Sequence, residues 1–106
     1  MELGKKVYKI CEHLPNDERY GLTSQIKRSV ISIPSNIAEG AARNSRKEFI
    51  QFLSIAQGSL AELDTQLTLC SEYLNLLPGD KLANVFEDLE RISKMISGLK
   101  KSLRNG

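Results

Sequence analysis

Between Phe49 and Leu77, the apolar residues Phe49, Leu53, Ala56, Leu60, Leu63, Leu67, Cys70, Leu74 and Leu77 follow one another at alternating steps of four and three. A repeat of this kind keeps one face of an α-helix turned toward a partner, whereas a strand repeats every second residue. Ser45 and Glu48 have the spacing of a capping box, which sets the start of the helix near Arg46. At about 1.5 Å per residue, the helix would be roughly 45–50 Å long. Pro78 and Gly79 break the pattern, and Asp80 can cap the next helix. Leu82, Val85, Leu89, Ile92, Ile96, Leu99 and Leu103 then make a second seam with the same alternation. So short a connection lays the two helices side by side and antiparallel, as the best-specified seam of the fold.

Upstream, Leu22, Ile26, Val30, Ile33, Ile37 and Ala41 form a third stripe. Pro34 lies inside it, removes one backbone donor and predicts a kink. This helix is expected to start as early as Asn16, with Asp17 and Glu18 in its first turn, where negative charge is favoured. Leu3, Val7, Ile10 and Leu14 mark a first helix, ended by Pro15, of about 12 residues or roughly 20 Å. At 106 residues there is room for one hydrophobic core. The expected fold is therefore all-α: an antiparallel up-down four-helix bundle in a single domain, residues 1–106, with a short first helix and a Pro34-kinked second helix.

The chemistry that would make an enzyme is missing from the sequence. There is one histidine, His13, and no His/Cys/Asp/Glu spacing typical of a metal site, so neither metal nor cofactor is expected. No glycine-rich phosphate loop or nucleophile elbow occurs, and serines without a partner base are not nucleophiles. Cys11 and Cys70 each fall in an apolar helical pattern and read as small buried hydrophobes. No apolar run approaches the ~18 residues of a membrane span, and no signal-peptide core succeeds the N-terminus. The expected location is the cytoplasm.

Two stretches of helix surface call for a partner. Arg28, Ser32, Asn36 and Gly40 recur every fourth residue as a polar stripe, with Glu39 and Arg43 as an i, i+4 pair beside it. The stripe reads either as a ligand or partner surface or as a satisfied polar network within the bundle or between subunits. Phe49, Ile50, Phe52, Leu53, Ile55 and Ala56 are apolar on nearly all sides of one helix, which must then be covered on all sides. With so short a first helix, Phe49, Ile50, Phe52 and Ile55 become the expected oligomer surface; the alternative is cover from loops or helix curvature.

The net charge of +2 says little about partners, but its distribution is lopsided. From Phe49 to Glu90, Lys81 is the one cation against seven acidic residues, and from Arg91 onward there are five cations and no acid. An up-down bundle would gather Arg43, Arg46 and Lys47 with Lys100, Lys101 and Arg104 at one basic pole. Asp17, Glu18, Glu72 and Asp80 would lie at the other. A basic pole attracts phosphate backbone, although cations near a helix C-terminus also complement its dipole. No aromatic residues interleave with these cations, so stacking on single strands is not expected.

The run Glu18-Arg19-Tyr20-Gly21-Leu22-Thr23-Ser24-Gln25-Ile26-Lys27-Arg28-Ser29, continued by Ser32-Ile33-Pro34-Ser35-Asn36-Ile37-Ala38-Glu39-Gly40, carries a family resemblance. With Phe49-Ile50-Gln51-Phe52-Leu53 and Ala56-Gln57-Gly58-Ser59-Leu60-Ala61-Glu62-Leu63, it resembles the four-helix bundle proteins encoded by intervening sequences in bacterial large-subunit ribosomal RNA genes. That resemblance implies a four-helix protomer assembled as a homopentamer. The family also looks like accessory proteins of diversity-generating retroelements, which bind a reverse transcriptase and nucleic acid. Its members carry a longer first helix, so a truncated start or an open groove is expected here. Residues and resemblance together lead to a non-enzymatic oligomeric bundle that binds structured RNA, or a nucleic-acid–protein complex, through its basic pole. Its rival is a protein-interaction scaffold using the polar stripe and the Phe49–Ile55 surface. A third reading, a small-molecule site between helices, would require a polar-lined cavity near Asn36 and Glu39.

Overall fold

The computed structural model describes residues 2–15, 19–73 and 79–105. Among them there are four α-helices and no strand: α1 (Glu2–Cys11), α2 (Ser24–Ala41), α3 (Arg46–Thr68) and α4 (Gly79–Asn105). A wide π-helical turn, Arg19–Thr23, leads into α2, and a second one, Leu69–Tyr73, extends α3. Asn16, Asp17 and Glu18, the expected opening of the second helix, lie outside the described residues, as do Leu74, Leu77 and Pro78.

Local chemistry sets the helix ends. After α1, the amides of Glu12, His13 and Leu14 donate to the carbonyls of Lys9, Ile10 and Cys11 at 3.2, 3.0 and 3.1 Å. These i to i+3 bonds tighten the chain and turn Leu14 into the core, just before Pro15 removes the next donor. At the start of α3, Ser45 Oγ accepts the Glu48 amide at 3.2 Å, as the capping pair predicts. The Glu48 carboxylate faces Arg43 Nε at 3.9 Å. Helix α2 runs unbroken through Pro34.

One core joins the four helices. Leu3, Val7, Ile10 and Leu14 meet Ile26, Val30 and Ile33 of α2, Leu53, Ala56, Leu60, Leu63 and Leu67 of α3, and Leu82, Val85, Leu89 and Ile96 of α4. Cys70, in the π-helical turn, keeps the place that the α3 repeat gives it and is fully buried. Cys11 is buried too, and that burial pushes its thiol pKa up against the opposing charge of Lys27. Ile92 and Leu103 are half-buried, and Leu99 and Ala41 are exposed where the seams run out toward solvent.

The closest helix pair is not α3 with α4 but α2 with α3. A methyl group at Gly40 would stand 2.7 Å from Phe52 Cβ and 2.9 Å from Phe49 Cδ1. About two turns away, Ser32 Oγ lies 2.8 Å from Ser59 Oγ. Gly40 meets the start of α3 and Ser32 meets its middle, so the two helices run antiparallel. Small residues at the crossing let the backbones approach, whereas the leucines between α3 and α4 act as spacers. Across that second seam, Gln57 Nε2 donates to Ser97 Oγ at 2.8 Å and Lys100 Nζ donates to Gln57 Oε1 at 3.0 Å.

Helix α1 is fastened at its flanks as well as by its apolar face. Lys6 Nζ donates to Asp88 Oδ2 on α4 at 2.7 Å, and Arg91 holds the other oxygen of the same carboxylate. Lys27 of α2 lies over the Tyr8 ring, 5.1 Å from its centre. The Lys6 hydrogen bond, and then the Lys6 and Arg91 charges, hold the Asp88 carboxyl below the usual carboxylate range, against the opposing pull of burial.

Gly40→Ala should lower stability by about 1–2 kcal/mol despite alanine's better helix propensity, because the Phe52 Cβ it meets is fixed to its own backbone. Gly98→Ala, which meets nothing within 4 Å, should gain about 0.5–1 kcal/mol, and urea unfolding of both variants checks the contrast. Asp88 is depressed in the folded chain, so its stabilisation is present above its unfolded pKa of about 3.9 and lost as pH falls through the lower folded value. Asp88→Asn should therefore lower Tm at neutral pH, and the gap from the native chain should close in acid.

Candidate nucleic-acid interface

The register of the helices decides where the cations go. Gln57, midway along α3, touches both Ser97 and Lys100, so the antiparallel end of α4 runs on from there toward the start of α3. The four-residue connection from α2 to α3, residues 42–45, is at the same end. Arg43, Arg46 and Lys47 lie at the end toward which Lys100, Lys101 and Arg104 run, with Lys100 itself beside the middle of α3.

These six are not equivalent. Arg43 Nη2 pairs with Glu39 Oε1 at 2.7 Å, faces Glu48 at 3.9 Å, and stacks over the Phe52 ring at 5.1 Å. Its charge is compensated and its plane is occupied. Lys100 is half-buried and is tied to Gln57. Arg46, Lys47, Lys101 and Arg104 are exposed, and among the described residues they make no ion pair or side-chain hydrogen bond. Further along α4, Lys94 faces Glu90 at 3.3 Å on the surface.

The polar stripe of α2 resolves into a bonded relay. Asn36 Nδ2 donates to the Ser32 carbonyl at 2.8 Å and to Ser32 Oγ at 2.9 Å. Ser32 bonds Ser59 across the helix pair, and Ser59 Oγ donates to the Ile55 carbonyl at 3.3 Å. This is the network reading of the stripe, formed within one chain. Arg28, at its other end, is exposed. Of the apolar residues Phe49, Ile50, Phe52 and Ile55, Phe49 packs on the core and Phe52 lies under Arg43. Ile50 is half-buried, and Ile55 is 51% exposed.

Gln25 and Gln66, which sequence reasoning did not single out, and Glu62 join Arg28, Ser29, Ser32, Ile55, Gly58 and Ser59 around a cleft of about 590 Å³ between α2 and α3. Their signal is faint: each flanks an apolar position of its stripe by one residue. Asn36 and Glu39, near which the small-molecule reading would require a polar-lined cavity, are engaged by Ser32 and Arg43. Among the described residues, no three His/Cys/Asp/Glu side chains cluster as a metal site would require, and no helix is long and apolar enough to cross a membrane.

The sequence profile of the 23S rRNA-intervening sequence proteins matches residues 1–98, which takes in α1, α2, α3 and most of α4. The chain belongs to that family. The match agrees with the resemblance carried by the Ile33–Gly40 stretch and with an all-helical chain of four α-helices. In this member of the 23S rRNA-intervening sequence protein family, Gly40 of that stretch meets α3, whereas Ser35, Ala38 and Glu39 are exposed. Comparison with curated proteins gives no match.

Ser59→Ala would remove the hydroxyl at the centre of the relay and leave Ser32 without its partner on α3. The expected cost is about 1 kcal/mol by urea unfolding, with little change in helix content by circular dichroism.

Proposed function

We propose that this member of the 23S rRNA-intervening sequence protein family is a non-enzymatic, oligomeric bundle that binds structured RNA through its basic pole. The observation that carries this reading is the set of four exposed cations, Arg46, Lys47, Lys101 and Arg104, without intramolecular partners among the described residues at one end of the molecule. Lys101 and Arg104 lie near the C-terminus of α4, where they complement the helix dipole. Arg46 and Lys47 do not have that explanation. They open α3, where the dipole is positive and further cations are unfavourable unless an anion joins them. The Arg46 and Lys47 amides of the same first turn, unlike that of Glu48, which Ser45 caps, are also available to an anion. A family name tied to 23S rRNA intervening sequences supports RNA as the source of the phosphates.

Self-association draws support from the exposed Ile31 and Ile55, at 50% and 51%, on adjoining helices. Assembly would repeat the basic pole and multiply weak phosphate contacts into useful affinity. The same isoleucines favour the rival reading, in which the chain is a scaffold for another protein. Salt separates the two, since phosphate contacts release counterions and apolar contacts do not.

The test is a fluorescence-anisotropy titration with a structured ribosomal RNA fragment at two salt concentrations. The native chain should bind at low salt and weaken steeply as salt rises. Changing Arg46, Lys47, Lys101 and Arg104 together to glutamine should weaken binding strongly, with the log–log salt slope falling by about 0.7–0.9 for each contact removed. Arg43→Gln should weaken binding less than Arg46→Gln, because Glu39 and Glu48 already compensate Arg43. Equal binding by the quadruple variant, or no binding at low salt, would overturn the proposal.

A further inference from the structure

Two apolar surfaces on different faces of the bundle are left without cover. Between α1 and α2, Gly4, Lys5, Tyr8, Val30, Ile31 and Pro34 line a shallow depression of about 380 Å³. Tyr8 and Ile31 are 39% and 50% exposed there. Its charges are positive. Lys5 stands on the rim, Lys27 lies over the Tyr8 ring, and neither makes an ion pair among the described residues. The outer face of α3 and its extension is the counterpart. Ile55, Glu62 and Leu69 succeed one another every seven residues, or about two turns, and so stand in one line. Ile55 and Leu69 are 51% and 39% exposed, with the exposed Glu62 between them. From Phe49 to Asp80 the chain has four carboxylates and no lysine or arginine. Beside that line, nothing stands within 4 Å of a methyl added at Gly58, so the α3 backbone is open to close approach.

The two surfaces match in chemistry and in level. One sets apolar side chains among cations and the other sets them among carboxylates, so each attracts the other and repels its own kind. A second copy of the chain is therefore the occupant that fits both. Ser32 faces Ser59 and the two helices run antiparallel, which puts Glu62 level with Ser29, between Lys27 and Ile31 along the bundle. Ile55 likewise stands level with Asn36, close to the height of Pro34. Copies placed side by side bring the two surfaces together with no shift along the bundle. Resting on the self-association proposed above, we infer that the chain assembles head to tail, the outer face of α3 in one copy seated in the α1–α2 depression of the next. The contact joins unlike surfaces and accumulates no shift, so it builds a closed ring and not a filament.

The experiment is analytical ultracentrifugation of the full chain without RNA, beside Ile31→Glu in the depression and Ile55→Lys on α3. Both side chains are half exposed or more, so both variants should keep the native helix content by circular dichroism. The native chain should sediment as a multiple of the protomer, and each variant should weaken assembly about tenfold or more. An equimolar mixture of the two is decisive. Each variant keeps the surface that the other has lost, so the mixture should form a one-to-one dimer and stop there. A mixture that stays monomeric would overturn the inference. So would a variant that assembles like the native chain, since a contact of like with like needs only one of the two surfaces; self-association itself would then stand. A native chain that stays monomeric at high concentration would overturn the assembly, and the anisotropy titration would still decide RNA binding by the basic pole separately.

Discussion

The backbone of α2 can lie against that of α3 only because Gly40 has no side chain. Its position faces Phe52 Cβ and Phe49 at distances that no methyl group could share. That contact sets the angle and register at which the helix pair starts, and the Ser32–Ser59 hydrogen bond repeats the close approach further along. Everything else is added to this pair. Helix α4 packs on the opposite leucine seam of α3, and α1 closes the remaining side with Lys6 on Asp88 and Tyr8 under Lys27.

The same pair distributes charge and polarity. Because the α2–α3 connection is short, Arg46 and Lys47 open α3 at the end toward which α4 runs, so cations far apart in the sequence lie in the same half of the bundle. Phe52 draws Arg43 back over its ring, and Glu39 and Glu48 compensate its charge, which leaves the pole to Arg46, Lys47, Lys101 and Arg104. Further along the pair, the small residues Ser29, Ser32, Gly58 and Ser59 that permit close packing also leave a polar cleft instead of a filled groove.

Most of the fold was legible because burial repeats at the helical period. The stripes of α3 and α4 name the core from Leu53 to Leu67 and from Leu82 to Ile96, and Ser45 places the start of α3. Periodicity could not say which helix pair is closest, because a heptad seam advertises large side chains while close approach depends on small ones. It specified the α3–α4 seam most fully and left the closest pair unnamed. Charge counting likewise put Arg43 with the other five basic residues. Its stacking on Phe52 depends on a turn geometry that no spacing rule supplies. Lys6–Asp88 was hidden for a similar reason: 82 residues separate the partners, and each flanks an apolar stripe without interrupting it. The polar stripe at Ser32 and Asn36 was visible, but only coordinates could choose the internal network over a partner surface.

Amide hydrogen exchange on the full chain, alone and with a structured RNA fragment, tests the basic pole most directly. The first amides of α3, which have no intrahelical acceptor, should exchange quickly in the free chain. With RNA, slowing should appear at residues 46–47 and at the last turns of α4, residues 100–105, and leave the middle of α2 unchanged. Slowing confined to the α2–α3 cleft, or none at either helix end, would contradict it.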